Sequence, residues 1–176
     1  ERIKKEGINP GIRTCSSSAA LFAFPEMQMD MVRPGIVIYG YYPDEITKDF
    51  LKNKEIDVDL KPVMQLETSV VAIKKITKGT SISYGRTWIA QNDTTIAVLP
   101  IGYADGLLRR NSPGLKVTIN GKLYPICGRI CMDQCMIRLD EYVPIGTEVE
   151  LIGPNMPITM IANELETIPY EIITTL

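Results

Sequence analysis

Histidine is absent from all 176 residues. That excludes a Ser-His-Asp triad, a Cys-His dyad, an HExxH zinc site and a histidine general base. Tryptophan and phenylalanine are scarce, at one and three residues, whereas eight tyrosines are present. No apolar run approaches the ~18 residues of a membrane span. No charged-then-apolar leader precedes a small-residue cleavage site. Neither sign of charge dominates: 19 basic and 21 acidic residues leave a net charge of -2, with no basic surplus to favour nucleic acid. Cysteine is sparse, and Cys15, Cys127, Cys131 and Cys135 are too few for a disulfide-stapled secreted domain of this length. The last three are separated by three residues each, wider than the pairs that structural zinc prefers. The reading is reduced thiols, no metal site and a cytoplasmic location.

What remains is the composition of a globular chain, 45 % hydrophobic and 23 % charged. The first residue is Glu1 rather than Met, which suggests an internal start. Glu1–Glu6 followed by Gly7 reads as the end of a helix with a glycine stop. Ile12–Cys15 suggests a short strand. Ser16-Ser17-Ser18 before Ala19–Ala23 suggests a capped helix that Pro25 limits. Ile36–Tyr42 is β-branched and aromatic with little alternation, the pattern of a strand buried on both faces. Asp44–Asp59 is charge-rich and reads as a connection.

After about Asp59 the character changes. Strand candidates follow over Val63–Ile73, Ser81–Tyr84, Thr94–Leu99, Leu115–Ile119, Leu123–Ile126, Met136–Leu139 and Thr147–Ile152. Turn residues separate them, and Asn120-Gly121 is a strong two-residue hairpin signal. Such spacing indicates an antiparallel sandwich or barrel. Thr159 is a candidate cap for a helix over Met160–Leu165. The expected division is 1–58, an α/β piece too short to close its own parallel sheet, and 59–176, a β domain.

Six stretches carry candidate chemistry: SSSAA at 16–20, MVRPGI at 31–36, SYG at 83–85, GYADG at 102–106, GRICMDQ at 128–134 and IPYE at 168–171. Singly each has a plain reading: a helix cap, a surface ion pair, a strand tyrosine, a turn, a cross-strand pair. In this order, as MVRPGIVIYG, SYG, IGYADGLLRR, GRICMDQCMIRL and PYE, they resemble the fold-type III, pyridoxal-phosphate-dependent alanine racemases. Vancomycin-resistance serine/alanine racemases are the nearest variant. A barrel-plus-β-domain amino acid decarboxylase is a further alternative, although such enzymes generally set a carboxylate, not an arginine, against the pyridine nitrogen. A non-enzymatic β module is supported by little beyond length.

The resemblance implies a (β/α)8 barrel, of which 1–58 would be the last strand-helix units, followed by a mainly β C-terminal domain. It implies pyridoxal 5'-phosphate, with Ser18, Gly35, Ile36 and Tyr170 at the phosphate and Arg33 at the pyridine nitrogen. Arginine does not give up its proton at working pH, so such a contact would keep that nitrogen unprotonated and the ring a weaker electron sink. Tyr84 would be the acid/base on one face of the substrate α-carbon. Met132, through its backbone N–H, would meet the substrate carboxylate in the substrate site, flanked by Asp133 and Cys131, and Tyr103, Arg109 and Arg129 would line its access route. Tyr84 would reach the partner's site in a homodimer, so the substrate, a small amino acid, would sit in a composite site. None of the eleven lysines stands in the family's cofactor-lysine context, so the lysine is expected upstream of Glu1 and this stretch alone is expected to be inactive. The resistance variant would place the same domain on the cytoplasmic side of a membrane tether.

Overall fold

The computed structural model describes residues 2–43, 46–109 and 114–176. Glu1 of the expected first helix, Asp44 and Glu45 of the expected connection and Arg110 of the IGYADGLLRR motif lie outside them. Two units are resolved, Glu1–Val63 and Met64–Leu176.

In the first unit, α1 (Arg2–Lys5) stops ahead of Gly7, whose φ of +74° is the left-handed value that ends helices. α2 (Ser18–Ala23) opens directly after Ser17 and ends before Pro25, as the serine run and the proline suggest. Ser17 holds the cap position through its backbone, with no side-chain capping hydrogen bond. The strand expected over Ile12–Cys15 is reduced to one parallel bridge, between Ser16 and Val32. Arg13 closes the loop around α2, its Nε and Nη2 donating to the Asp30 carboxylate at 2.7 and 2.9 Å.

The strand expected over Ile36–Tyr42 does not form. Ile36–Tyr39 instead makes a 3-10 turn that Gly40 ends at φ +81°. β-branched and aromatic residues favour a pleated surface only where neighbours cover it, and here Ile36 is buried while Ile38 and Tyr39 are exposed. Gly40 also lies so close to the Lys61 carbonyl that a Cβ would meet its oxygen at 1.8 Å. The charge-rich connection contains α3 (Lys48–Asn53), capped by Thr47, whose Oγ1 accepts from the Phe50 amide at 3.1 Å. Leu51, fully buried, anchors it.

The second unit is mainly antiparallel β. Its strands are β1 (Leu66–Ser69), β2 (Ala72–Ile76), β3 (Ser81–Ile82), β4 (Trp88–Ile89), β5 (Thr94–Leu99), β6 (Lys116–Ile119), β7 (Lys122–Pro125), β8 (Cys135–Leu139) and β9 (Glu148–Ile152). They form sheets of order β1-β9-β6-β7 and β2-β5-β8, with β3-β4 a separate ribbon. The expected Val63–Ile73 strand is two strands because the chain changes sheet there. The Val70 amide donates to the Thr147 carbonyl at 3.0 Å on one side, and the Val71 amide to the Val98 carbonyl at 3.0 Å on the other. A second junction, the antiparallel bridge Ile126–Ile137, links the far ends of the two sheets. Joined at both corners, the sheets close in the manner of a small barrel.

Alternation fills that barrel. Cys135, Ile137 and Leu139 of β8 point inward while Met136 and Arg138 do not. Ile137, Val117, Val149 and Leu99 are fully buried. Asn120 and Gly121 both take positive φ, +51° and +78°, the type I' geometry that sets the β6–β7 register at Ile119 opposite Lys122. Two short helices follow, α4 (Ile158–Glu164) and α5 (Pro169–Thr175). Pro157, not Thr159, holds the cap position of α4.

Candidate functional site

The ribbon β3-β4 carries Tyr84 at its tip, 69 % exposed. Three of the four residues of this Ser83–Arg86 tip have positive φ: Ser83 at +64°, Gly85 at +73° and Arg86 at +50°. Ser83 pairs its φ with ψ of -179°, a region essentially reserved for glycine and one that costs about 1–3 kcal/mol in any other residue. The strain is held by contacts with the 128–134 loop. The Ser83 hydroxyl donates to the Arg129 carbonyl at 2.5 Å, and its oxygen lies 3.6 Å from the Cys131 sulfur. Arg129 lays its guanidinium against Gly85, where a Cβ would stand 2.8 Å from one terminal nitrogen. Gly128 packs as tightly in the other direction, since a Cβ there would meet the Ile82 carbonyl oxygen at 2.8 Å.

A third loop docks on the same plate. The Tyr103 amide donates to the Cys131 carbonyl at 3.0 Å, and the Ala104 amide to the Met132 carbonyl at 2.9 Å. Asp105 closes the Tyr103–Asp105 turn by accepting from the Gly102 amide at 2.8 Å. Met132 and Tyr103 are 58 % and 40 % exposed, and Asp133 follows Met132 on the surface. Tyr84, Tyr103, Arg129, Met132 and Asp133 thus share one rim, built by three loops far apart in sequence. Arg109, also exposed, lies past Gly106 on the chain that leaves this third loop. Gly106 abuts the end of α5, where a Cβ would be 2.4 Å from the Thr175 carbonyl oxygen, and Tyr170 is half-buried one turn back on that helix. Arg129 and Asp133 do not form a cross-strand pair, because both sit in the loop before β8.

In the first unit Ser18, Arg33, Gly35 and Ile36 meet where α2 and the 36–39 turn begin. The Gly35 amide donates to the Ser18 hydroxyl oxygen at 2.7 Å, which leaves the Ser18 proton for another acceptor. The amide of Gly35 is thereby engaged inside the cradle instead of pointing outward. Ser16, beside it, has a buried hydroxyl with no hydrogen-bond partner among the described residues. Arg33 hangs from this cradle through its backbone amide, 2.8 Å from the Ser16 carbonyl, while its exposed side chain donates to the Thr14 hydroxyl at 3.3 Å.

Cys127, Cys131 and Cys135 are buried and unbonded to one another. Burial pushes the Cys127 thiol up to about 11 and the Cys135 thiol up to about 12. No cluster of three or more Cys, Asp or Glu suited to a metal occurs among the described residues. No helix among them is long and apolar enough to cross a membrane. The sequence offers GYADG as a turn or, by the resemblance, as the bearer of Tyr103, and offers SYG for Tyr84, with no role for Ser83 itself. A glycine at each end of GYADG hints at close backbone approach, but nothing in the letters signals a serine in a glycine conformation.

The described elements define the class: the second unit has the fold of an alanine racemase C-terminal β domain. The family model described as "Alanine racemase, C-terminal domain" matches residues 63–176, and that described as "Alanine racemase, N-terminal domain" matches residues 1–43. The chain belongs to the alanine racemase family. The alanine racemase of Treponema denticola is 48 % identical over 181 residues, covering 98 % of this chain and 46 % of that protein. The crystal structure of alanine racemase from Bacillus anthracis with bound L-Ala-P superposes with a TM-score of 0.87 at 40 % identity, covering 98 % of this chain and 44 % of that one. The Bartonella henselae enzyme, solved with covalently bound pyridoxal phosphate, gives a TM-score of 0.80 at 33 % identity, with 93 % and 45 % coverage. The chain spans about half the length of the curated relatives it matches.

Proposed function

We propose that this chain is the C-terminal part of a pyridoxal 5'-phosphate-dependent alanine racemase, residues 1–58 ending a (β/α)8 barrel and 59–176 forming the β domain. It acts in the cytoplasm as a homodimer, interconverting L- and D-alanine for peptidoglycan synthesis. The observation that carries this reading is the rim itself, where Tyr84, Tyr103, Arg129 and Met132 are fixed together by bonds between three loops. When bound, the cofactor supplies the electron sink that acidifies the substrate α-carbon.

The residues of the first unit fit that cofactor. The buried Ser16 hydroxyl, without a partner among the described residues, and the Ser18 proton that the Gly35 bond leaves to give suit an anion, as do the backbone amides at the start of α2. Ser18, Gly35 and Ile36 would hold the phosphate, with Gly35 acting through Ser18, and Arg33 would donate to the pyridine nitrogen. The assignment of Tyr170 to the phosphate rests on the resemblance. On the rim, Tyr84 holds and moves the proton at its phenolic oxygen. Arg129 and Arg109 attract the substrate carboxylate, Met132 offers it a backbone amide, and Asp133 and Tyr103 shape the approach. The homodimer rests on the resemblance, in which the tyrosine at this position serves the partner's cofactor.

The test is the full-length enzyme, loaded with pyridoxal phosphate and carrying Tyr84→Phe. Removing a positioned proton carrier is expected to slow alanine racemisation by about 10²–10⁴-fold. Racemisation at the parent rate would overturn the reading, and L-serine run in parallel reports the preference between the two substrates.

A further inference from the structure

Ser83 stands immediately before Tyr84 in a backbone conformation that serine avoids, φ +64° and ψ -179°. Such outliers persist only where the surroundings over-determine them, and they concentrate at functional sites. Here the surroundings are explicit. The Ser83 hydroxyl donates to the Arg129 carbonyl at 2.5 Å, 46 positions away, and touches the Cys131 sulfur. Gly85 on the other side of Tyr84 is clamped by the Arg129 guanidinium. The tyrosine is thus gripped by its two neighbours while its own side chain stays exposed.

We propose that Ser83 is a positioning residue: its bond to the Arg129 carbonyl holds the strained turn that aims the Tyr84 hydroxyl. The inference rests on the acid/base role proposed for Tyr84. Without the bond, alanine at 83 relaxes toward ordinary values and glycine loses the tether to the Arg129 carbonyl, and in either case the ring swings away although the barrel beneath it stays folded. Small displacements of a reacting group are costly to rate. Ser83 itself transfers no proton, and no bond forms or breaks at it.

The experiment uses the full-length, cofactor-loaded enzyme with Ser83→Ala, Ser83→Gly and Tyr84→Phe. Ser83→Ala and Ser83→Gly are each expected to lower kcat by roughly tenfold to a hundredfold with KM little changed. Ser83→Gly relieves the backbone strain, so its melting temperature is held or raised while its turnover falls, which a merely structural role would not give. Racemisation needs both faces of the α-carbon, whereas solvent deuterium exchange without inversion needs only the opposite base. The ratio of exchange to racemisation therefore rises in both Ser83 variants, in the same sense as in Tyr84→Phe. Amide hydrogen exchange over Tyr84–Arg86 also quickens in Ser83→Ala, a readout independent of turnover. If Tyr84→Phe raises the ratio and the Ser83 variants leave it unchanged, the positioning role falls and the proposed function stands. If Tyr84→Phe racemises at the parent rate, both fall.

Discussion

Gly102 and Met132 are in backbone contact: a Cβ at position 102 would stand 2.3 Å from the Met132 carbonyl oxygen. This glycine is a matter of distance, since its φ of -145° is open to any residue. The close approach lets two amides of the 102–106 loop reach the Cys131 and Met132 carbonyls.

Gly102→Ala is accordingly expected to push the two loops apart. Backbone, not a flexible side-chain tip, blocks the methyl, so relief requires main-chain movement. The expected loss is about 1–3 kcal/mol, read by denaturant unfolding of the full-length protein. Turnover of Gly102→Ala enzyme should fall further than the unfolded fraction explains, because Tyr103 and Met132 move with the loop.

The buried thiols give a pH dependence with a definite sign. Burial raises Cys127 to about 11 and Cys135 to about 12, from an ordinary 9.0. In the unfolded chain these groups ionise first, so their contribution to stability is complete below about pH 9 and is lost as pH climbs through 11 to 12. Thermal melts between pH 8 and 11 should show the fall, and Cys127→Ala with Cys135→Ala should flatten it. Iodoacetamide at pH 8 should leave both thiols unmodified until denaturant is added, as mass spectrometry of the labelled peptides would report.

Cofactor affinity is expected to depend on a hydroxyl that never touches the reacting carbon. Ser18 accepts from Gly35 and keeps its own proton to give. In Ser18→Ala the cradle loses that donor to an anion, a bond worth about 1.5–3 kcal/mol, so the Kd for pyridoxal phosphate should rise by roughly tenfold to a hundredfold. Absorbance titration of the apo full-length enzyme measures it, and an unchanged Kd would remove Ser18 from the phosphate site.

Where local chemistry decided the structure, it was legible in the sequence. Asn120-Gly121 can take two positive φ values in succession, and the hairpin is there. Thr94–Leu99 is a strand to the residue. The order of the motifs pointed to loops that do meet on one rim. Tertiary decisions were not legible. Val70 and Val71 look like any strand valines, and only their partners Thr147 and Val98 reveal a change of sheet. Ile36–Tyr39 had strand composition but only partial cover. Helix α5 was overlooked although Pro169 at its first turn and Glu171 behind it are both start signals.

The corner at Val70–Val71 has a consequence for how the second unit comes apart. A single rod of chain belongs to both sheets, so neither can peel away without dragging its neighbour. Opening the β1 edge pulls on β2, and through β2 on β5, whose far end leads to the loop bearing Gly102. A disturbance at that edge is thus felt at the Gly102 side of the rim, whereas Tyr84, on its separate ribbon, takes its aim from the Ser83 and Gly85 contacts with Arg129.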